Sequence, residues 1–416
     1  MKRIGKVLLL IAILIAYIGV VWLGVLLVIR DTERGALLTM ERVGLVQVAA
    51  QQKQLFDQVV NDTLQWCEEE MAREHVIDDY IDNQLNIMTL EQKLAQMMIL
   101  TNENDIHASN LQTYQPAGII FFQVDFSGKT MDTVKNRVNT LQSYVRVPLF
   151  VGVDEEGGDV SRLKTLAEWN VPTFESARML TEKGESAIVE DTRIKMQYFR
   201  SMGLNLNFAP VADVVDDRTS YMYNRSASGD AKIVSDYVRT VLQTMEEEQV
   251  MSCVKHFPGY GNNVNTHDGL AHDNRSLAEY KEKDFLPFLT GIESGVDMVM
   301  VSHIIMEDVD KEHPASLSQK VHDILRCDMN FQGVIIADDL NMQAILKNMT
   351  IQDATAKAFE AGNDMIFSAD FAASMRGALN AVQQGSLSKE QVDASVERVL
   401  RMKIENGLID IEMGGN

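Results

Sequence analysis

Within a few residues the chain places a lysine, two histidines and three backbone breakers. Met251-Ser252-Cys253-Val254 is a short apolar run, Lys255-His256 follows it, and Pro258, Gly259 and Gly261 then prevent strand or helix from continuing. A second imidazole, His267, stands on the loop beyond. A cation and imidazoles where a buried strand emerges can hold a polar ligand and move a proton near neutral pH. Other apolar runs end in the same way. Val153 leads into Asp154-Glu155-Glu156-Gly157-Gly158-Asp159 and on to Arg162, and Asn207 to Asp213 continues to Asn224-Arg225. Ser302 is followed by His303, and Ala337 by Asp338-Asp339-Leu340-Asn341. Acids, arginines, a lysine and histidines gathered at one rim make a polar pocket for a small hydroxylated ligand.

The elements that must carry these groups alternate. Candidate strands are Met97–Leu100, Gly118–Phe122, Leu149–Val153, Leu206–Ala209, Ser252–Lys255, Met298–Ser302, Val334–Ala337 and Met365–Phe367. Amphipathic stretches lie between them, among them Met131–Val145, Ala187–Met202, Ile233–Gln249, Leu277–Ser294 and Asp353–Ala361. Continuously apolar strands separated by helices imply a parallel sheet covered on both faces. Eight such units suggest an α/β fold, a single (β/α)8 TIM-type barrel with its chemistry at the carboxyl ends of the strands. An open doubly wound sheet is the alternative, but no strand is followed by a glycine fingerprint for a dinucleotide. Thr89-Leu90-Glu91-Gln92 is a capping-box pattern that opens the first helix of this domain.

Before the barrel, Met1 to Lys6 is basic and Val7 to Ile29 is a run of 23 uncharged residues. A helix rising about 1.5 Å per residue over that length spans a hydrocarbon core of roughly 30 Å. The run is longer than a signal-peptide core and has no small-residue cleavage site, so it predicts an uncleaved single-pass anchor. Lys2, Arg3 and Lys6 orient it with the N-terminus in the cytoplasm and residues 30–416 outside. The expected organisation is a membrane anchor over 1–35, a helical stalk or linker over 36–87 and the barrel over 88–416. Leu55, Val59, Val60, Leu64 and Met71 give the stalk its helical spacing. A formal net charge of -22 argues against nucleic acid as a partner. Cys67, Cys253 and Cys327 are too few and too scattered for a disulfide framework or a metal site.

Five motifs in order resemble family 3 glycoside hydrolases. They are Val151-Gly152-Val153-Asp154-Glu155-Glu156-Gly157-Gly158, Asn207-Phe208-Ala209-Pro210-Val211-Ala212-Asp213-Val214, Lys255-His256-Phe257-Pro258-Gly259, Pro314-Ala315-Ser316-Leu317-Ser318 and Val334-Ile335-Ile336-Ala337-Asp338-Asp339-Leu340-Asn341-Met342. The likeness is to the β-N-acetylhexosaminidase branch and covers its N-terminal barrel domain, about Met88 to Ile409. It implies a retaining glycosidase that removes terminal β-N-acetylglucosamine from peptidoglycan-type glycans, with a carbohydrate substrate, no cofactor and no metal.

The resemblance also implies roles. Asp338 matches the nucleophile that forms a glycosyl-enzyme, and Asp339 supports it. His267 matches the acid/base histidine on the loop after the fifth strand. Asp154, Arg162, Arg225, Lys255 and His256 match the residues that bind sugar hydroxyls. Two positions depart from the pattern. Where the family has an aspartate two residues before the histidine, this chain has Asn265, which carries no charge to support imidazolium, although Asp268 is close in sequence. Asp159 stands where relatives have a basic residue. These departures frame an alternative, a weakened or inactive member that binds wall glycan or a partner without turnover. A β-glucosidase is the other enzyme reading. His272, His303 and His322 receive no role.

Overall fold

The computed structural model describes residues 39–101, 105–168, 171–261, 269 and 271–411. The expected anchor over 1–35 lies outside them. Among the described residues no helix is long and apolar enough to cross a membrane. The chain divides into two units, with the second comprising Ile81–Ile411.

The stalk region is one helix, Thr39–Ile87, of 49 residues. It contains no proline and a single glycine, Gly44, so nothing in its backbone interrupts it. At about 1.5 Å per residue it is roughly 70 Å long. Leu55, Leu64 and Met71, part of its apolar spacing, are more than half exposed.

In the second unit Thr89 opens the helix Leu90–Ala95 through a reciprocal capping box with Gln92. Eight parallel strands then close a barrel. They are β1 (Met98–Leu100), β2 (Gly118–Phe121), β3 (Phe150–Val153), β4 (Leu206–Asn207), β5 (Met251–Phe257), β7 (Met298–Val301), β9 (Val334–Ala337) and β10 (Met365–Ser368). A separate parallel pair, β6 (Ala271–Asp273) with β8 (Ile304–Met306), lies outside the barrel. Around the barrel the order is β1-β10-β9-β7-β5-β4-β3-β2, so sequence neighbours are also spatial neighbours. Every barrel strand is buried along its whole length, because the interior and the surrounding helices cover both faces.

Apolar side chains such as Ile120, Leu206, Met251, Met300, Ile336 and Met365 fill the core. Phe208 meets Phe367 edge-on at 5.1 Å. That packing needs a glycine on the next strand, since a Cβ at Gly152 would sit 2.5 Å from the Phe208 ring.

Two sequence expectations change. The stretch Leu277–Ser294 is two helices, Leu277–Glu282 and Phe285–Glu293. Pro287 cannot donate to the carbonyl of Lys283 and its ring would collide with that carbonyl, so the break falls there. The fifth barrel strand also runs past Lys255 to Phe257, and its register against β7 shifts between Val254 and Phe257, where Lys255 and His256 stand.

Candidate active site

Lys255 is the centre of a buried charge cluster. Its Nζ donates to Asp154 Oδ1 at 2.6 Å and forms an ion pair with Glu156 Oε1 at 2.7 Å, and its side chain is 3% exposed. Asp154 and Glu156 stand two residues apart past the end of β3, so the alternation of an extended chain directs both toward β5. Glu155 between them turns away. Its Oε2 accepts from the backbone N–H groups of Arg162 and Leu163, and the Asn207 amide brackets its own N–H and C=O. Gly157 then turns at φ +93, where a Cβ would lie 2.1 Å from the Glu175 carbonyl oxygen.

Glu156 receives Arg225 as well. Nε donates to Oε2 and Nη2 to Oε1, both at 2.8 Å, a bidentate geometry. Burial pushes the Glu156 carboxyl up, but the Arg225 and Lys255 charges outweigh it and hold the acid ionised well below its usual range. Lys255 is the converse: burial favours the neutral amine, and Asp154 with Glu156 reverses that and raises its pKa.

His256, the next residue on β5, is fixed by Asp213. Nδ1 lies 2.7 Å from Asp213 Oδ2, while Asp213 Oδ1 accepts from the Tyr260 N–H at 2.7 Å. Asp213 thus ties the strand end to the first turn of the following loop. His256 Nε2 faces Arg225 Nη2 at 3.4 Å and the ring meets Tyr260 edge-on.

Asp338 follows β9 directly, and its N–H continues the ladder to the Val301 carbonyl at 2.9 Å. Its Oδ1 accepts from the Asp339 N–H at 2.8 Å, while Oδ2 has no hydrogen-bond partner among the described residues. Burial raises this carboxyl, and the charges of His303, His256 and Lys255, with the Asp339 N–H, outweigh it, so its pKa is lowered. Asp339 goes the other way. Burial and the neighbouring Asp338 charge raise its pKa, although its Oδ1 accepts from the N–H and side-chain amide of Asn341 at 2.9 and 2.7 Å. The environment thus shifts these adjacent acids in opposite directions, favouring the charged form at Asp338 more than at Asp339, whose carboxylate bonds the Asn341 turn.

Asp154, Lys255, His256, Arg225 and Asp338 are therefore brought together. Arg162 is not joined to them: its backbone is held by Glu155, and its Nε is buried with no partner among the described residues. Asp159 is exposed. His267, Asn265 and Asp268 lie outside the described residues. The ends of that loop are tied to one side chain, because Arg275 donates to the Gly259 carbonyl at 3.3 Å, to Asp273 at 2.6 Å and to Asp284 at 2.6 Å.

Three residues without an assigned role belong to the cluster, namely Glu156, Asp213 and His303. The two-residue spacing of Asp154 and Glu156 was a usable signal for the first. Asp213 stands in a motif whose residues between Asn207 and itself are all apolar, and His303 is a lone histidine with no spacing signal. Of the two histidines that the sequence left without a role beside His303, His272 pairs with Glu307 in a half-exposed contact and His322 bonds the Ser318 carbonyl in the core.

A lysine, an arginine and carboxylates around one strand end offer both donors and acceptors, which is what sugar hydroxyls require. The sequence profile described as Glycosyl hydrolase family 3 N terminal domain matches residues 89–402. A beta-hexosaminidase of Xanthomonas oryzae pv. oryzae (strain KACC10331 / KXO85) is 30% identical over 265 residues, which is 62% of this chain and 77% of that protein. Among solved structures, the family 3 beta-N-acetylglucosaminidase from Paenibacillus sp. str. FPU-7 superposes with a TM-score of 0.72 at 28% identity. The match covers 77% of this chain and 63% of that one. M tuberculosis LpqI superposes with a TM-score of 0.70 at 28% identity, over 76% of this chain and 94% of that one.

Proposed function

The chain belongs to glycoside hydrolase family 3, and from that premise we propose that it is a retaining β-N-acetylhexosaminidase releasing terminal β-N-acetylglucosamine from peptidoglycan-type glycans. Asp338 Oδ2 attacks the anomeric carbon and forms a glycosyl ester while the bond to the leaving oxygen breaks, that oxygen taking a proton from His267. Water then gives a proton to His267 and attacks the same carbon, and the ester bond breaks to restore the Asp338 carboxylate. Asp154, Lys255, His256 and Arg225 hold the sugar, and Arg162, which stands apart from them in the structure, is included only through its match to the family's sugar-binding arginine. The observation that carries the reading is Asp338 itself: an acid at a barrel strand end, held ionised beside Lys255 and His256, with one carboxylate oxygen left unbonded by the described residues. The relatives named for hexosaminidase or N-acetylglucosaminidase activity favour the N-acetylated sugar over glucose. In this reading residues 7–29 anchor the chain and the barrel works outside the cytoplasm.

The test uses the full chain in detergent with aryl β-N-acetylglucosaminide and aryl β-glucoside. Turnover of the first well above the second is expected, abolished by Asp338→Ala. Equal inertness of wild type and Asp338→Ala on both substrates, with glycan still bound, would favour the reading as a glycan-binding relative.

A further inference from the structure

We propose that His303 is a positioning residue for the nucleophile, holding the Asp338-Asp339 peptide segment through its hydrogen bond to the Asp339 carbonyl; this rests on Asp338 being the nucleophile. His303 stands two residues beyond β7, the strand paired with β9 on the nucleophile side. Asp338 is anchored to that neighbouring strand through its N–H, at Val301. His303 supplies the next anchor, with Nε2 3.0 Å from the Asp339 carbonyl oxygen. A carbonyl only accepts, so the hydrogen is on Nε2. The two bonds bracket the residue whose carboxylate must face the anomeric carbon, one on each side of it.

The ring is locked in turn. Nδ1 lies 2.7 Å from Ser316 Oγ. Ser316 donates its own N–H to the Ser302 carbonyl at 3.0 Å, and its carbonyl accepts from Asn363 Nδ2 at 2.7 Å. His303 and Ser316 are 0% exposed and Asn363 is 1% exposed. Water therefore does not compete for these bonds, and the contact chain Asn363–Ser316–His303–Asp339 ends on the Asp339–Leu340 peptide, one peptide beyond the link between Asp338 and Asp339. The Asp339 N–H is itself the donor to Asp338 Oδ1, so swinging of this segment would turn the carboxylate as well. Misplacing a nucleophile by about 1 Å costs on the order of a hundredfold in rate, and binding of the sugar by Asp154, Lys255 and Arg225 does not depend on it.

The experiment compares His303→Leu, His303→Gln and Ser316→Ala with wild type on the aryl N-acetylglucosaminide, with Asp338→Ala alongside. Leucine keeps the volume and removes the donor, whereas the glutamine amide can replace Nε2–H. Expected are a kcat loss of about ten- to a hundredfold for His303→Leu with KM within about threefold of wild type, and substantial recovery in His303→Gln. A His303→Leu enzyme that is folded and turns over at the wild-type rate, or a His303→Gln enzyme no better than His303→Leu, overturns the proposal. Should His303→Leu fail to fold, Ser316→Ala decides: a kcat loss of about three- to tenfold at unchanged KM is expected, and no loss overturns it. Asp338→Ala separates the two levels. If it turns over like wild type the nucleophile reading falls, and if it is dead while His303→Leu is fully active only the present inference falls.

Discussion

The guanidinium of Arg225 grips Glu156 through two parallel hydrogen bonds of 2.8 Å, while Lys255 reaches the same carboxylate at 2.7 Å. One buried anion thus pairs with two buried cations, and Asp154 supplies the second negative charge through the lysine. Removing Glu156 leaves Arg225 and Lys255 short of a counter-charge in a largely buried site. Breaking a buried pair from one side costs about 3–5 kcal/mol. Glu156→Ala should therefore lower stability by about that amount, read as a fall in the urea midpoint without a change in slope. A midpoint within error of wild type would mean that the cluster is solvated.

Acid behaviour follows from Asp338. Its pKa is lowered below the ordinary carboxylate value of 3.8 because His303, His256 and Lys255 and the Asp339 N–H overcome the burial that raises it. The carboxylate stays charged as pH falls through the ordinary range, and its contribution to stability, present above the unfolded value, is lost only as pH drops through the lower folded value. The acid limb of kcat/KM that belongs to this group should accordingly lie below 3.8. A limb near pH 5 that disappears in Asp338→Glu but not in other variants would contradict it.

Much of this arrangement is readable from the chain. Barrel strands announce themselves because burial on both faces demands continuous apolar runs, and chemistry gathers at their ends because only there does a strand meet solvent. What stays hidden is set by partners distant in sequence. Leu277–Ser294 has helical periodicity throughout, and only the collision of Pro287 with the turn before it divides the helix. The β6–β8 pair is three residues per strand, too short for any pattern. In Asp154-Glu155-Glu156 the composition is uniform, yet alternation sends the outer two to Lys255 and the middle one to the backbone of Arg162. His303 could be placed only once β7 and β9 were paired.

Gly157 connects backbone conformation to that cluster. Its φ of +93 is disfavoured for an L-residue, and a Cβ would stand 2.1 Å from backbone, not from a side chain that could move. Gly157→Ala should cost about 2–4 kcal/mol from strain and overpacking together. Because Glu156 is the preceding residue, kcat/KM should fall with it. An alanine variant with wild-type melting temperature would show that the turn relaxes freely.

Lys403 gives a prediction of opposite sign. It is 0% exposed, its Nζ donates only to Gln96 Oε1 at 3.1 Å among the described residues, and it lies 4.8 Å from the centre of the Phe150 ring. Burial lowers its pKa well below 10.5. Below the unfolded value the unfolded chain keeps the charge that the core disfavours, so this lysine costs more stability as pH falls toward its folded pKa. Lys403→Met should stabilise by about 1–2 kcal/mol near neutral pH, less the loss of the Gln96 bond, with a smaller gain above pH 10. Calorimetric melting at both pH values checks it, and destabilisation at neutral pH would show that the ammonium is better served than its contacts indicate.

The proposed acid/base, His267, has an amide where a carboxylate would support it. An aspartate two residues before His267 would stabilise imidazolium and raise its pKa, and Asn265 provides an amide without charge. A lower pKa leaves less of the histidine protonated at neutral pH, so the first step, in which it must give a proton to the leaving oxygen, is held back as pH rises. Asn265→Asp should move the alkaline limb of kcat/KM to higher pH by about one unit and raise turnover at pH 7 by about tenfold for substrates with poor leaving groups. Aryl substrates with very acidic phenols need little proton donation and should gain least. Superimposable pH profiles for the two proteins would mean that another acid, Asp268 being the nearest in sequence, already supports the imidazole, and Asp268→Asn would then produce the shift in reverse.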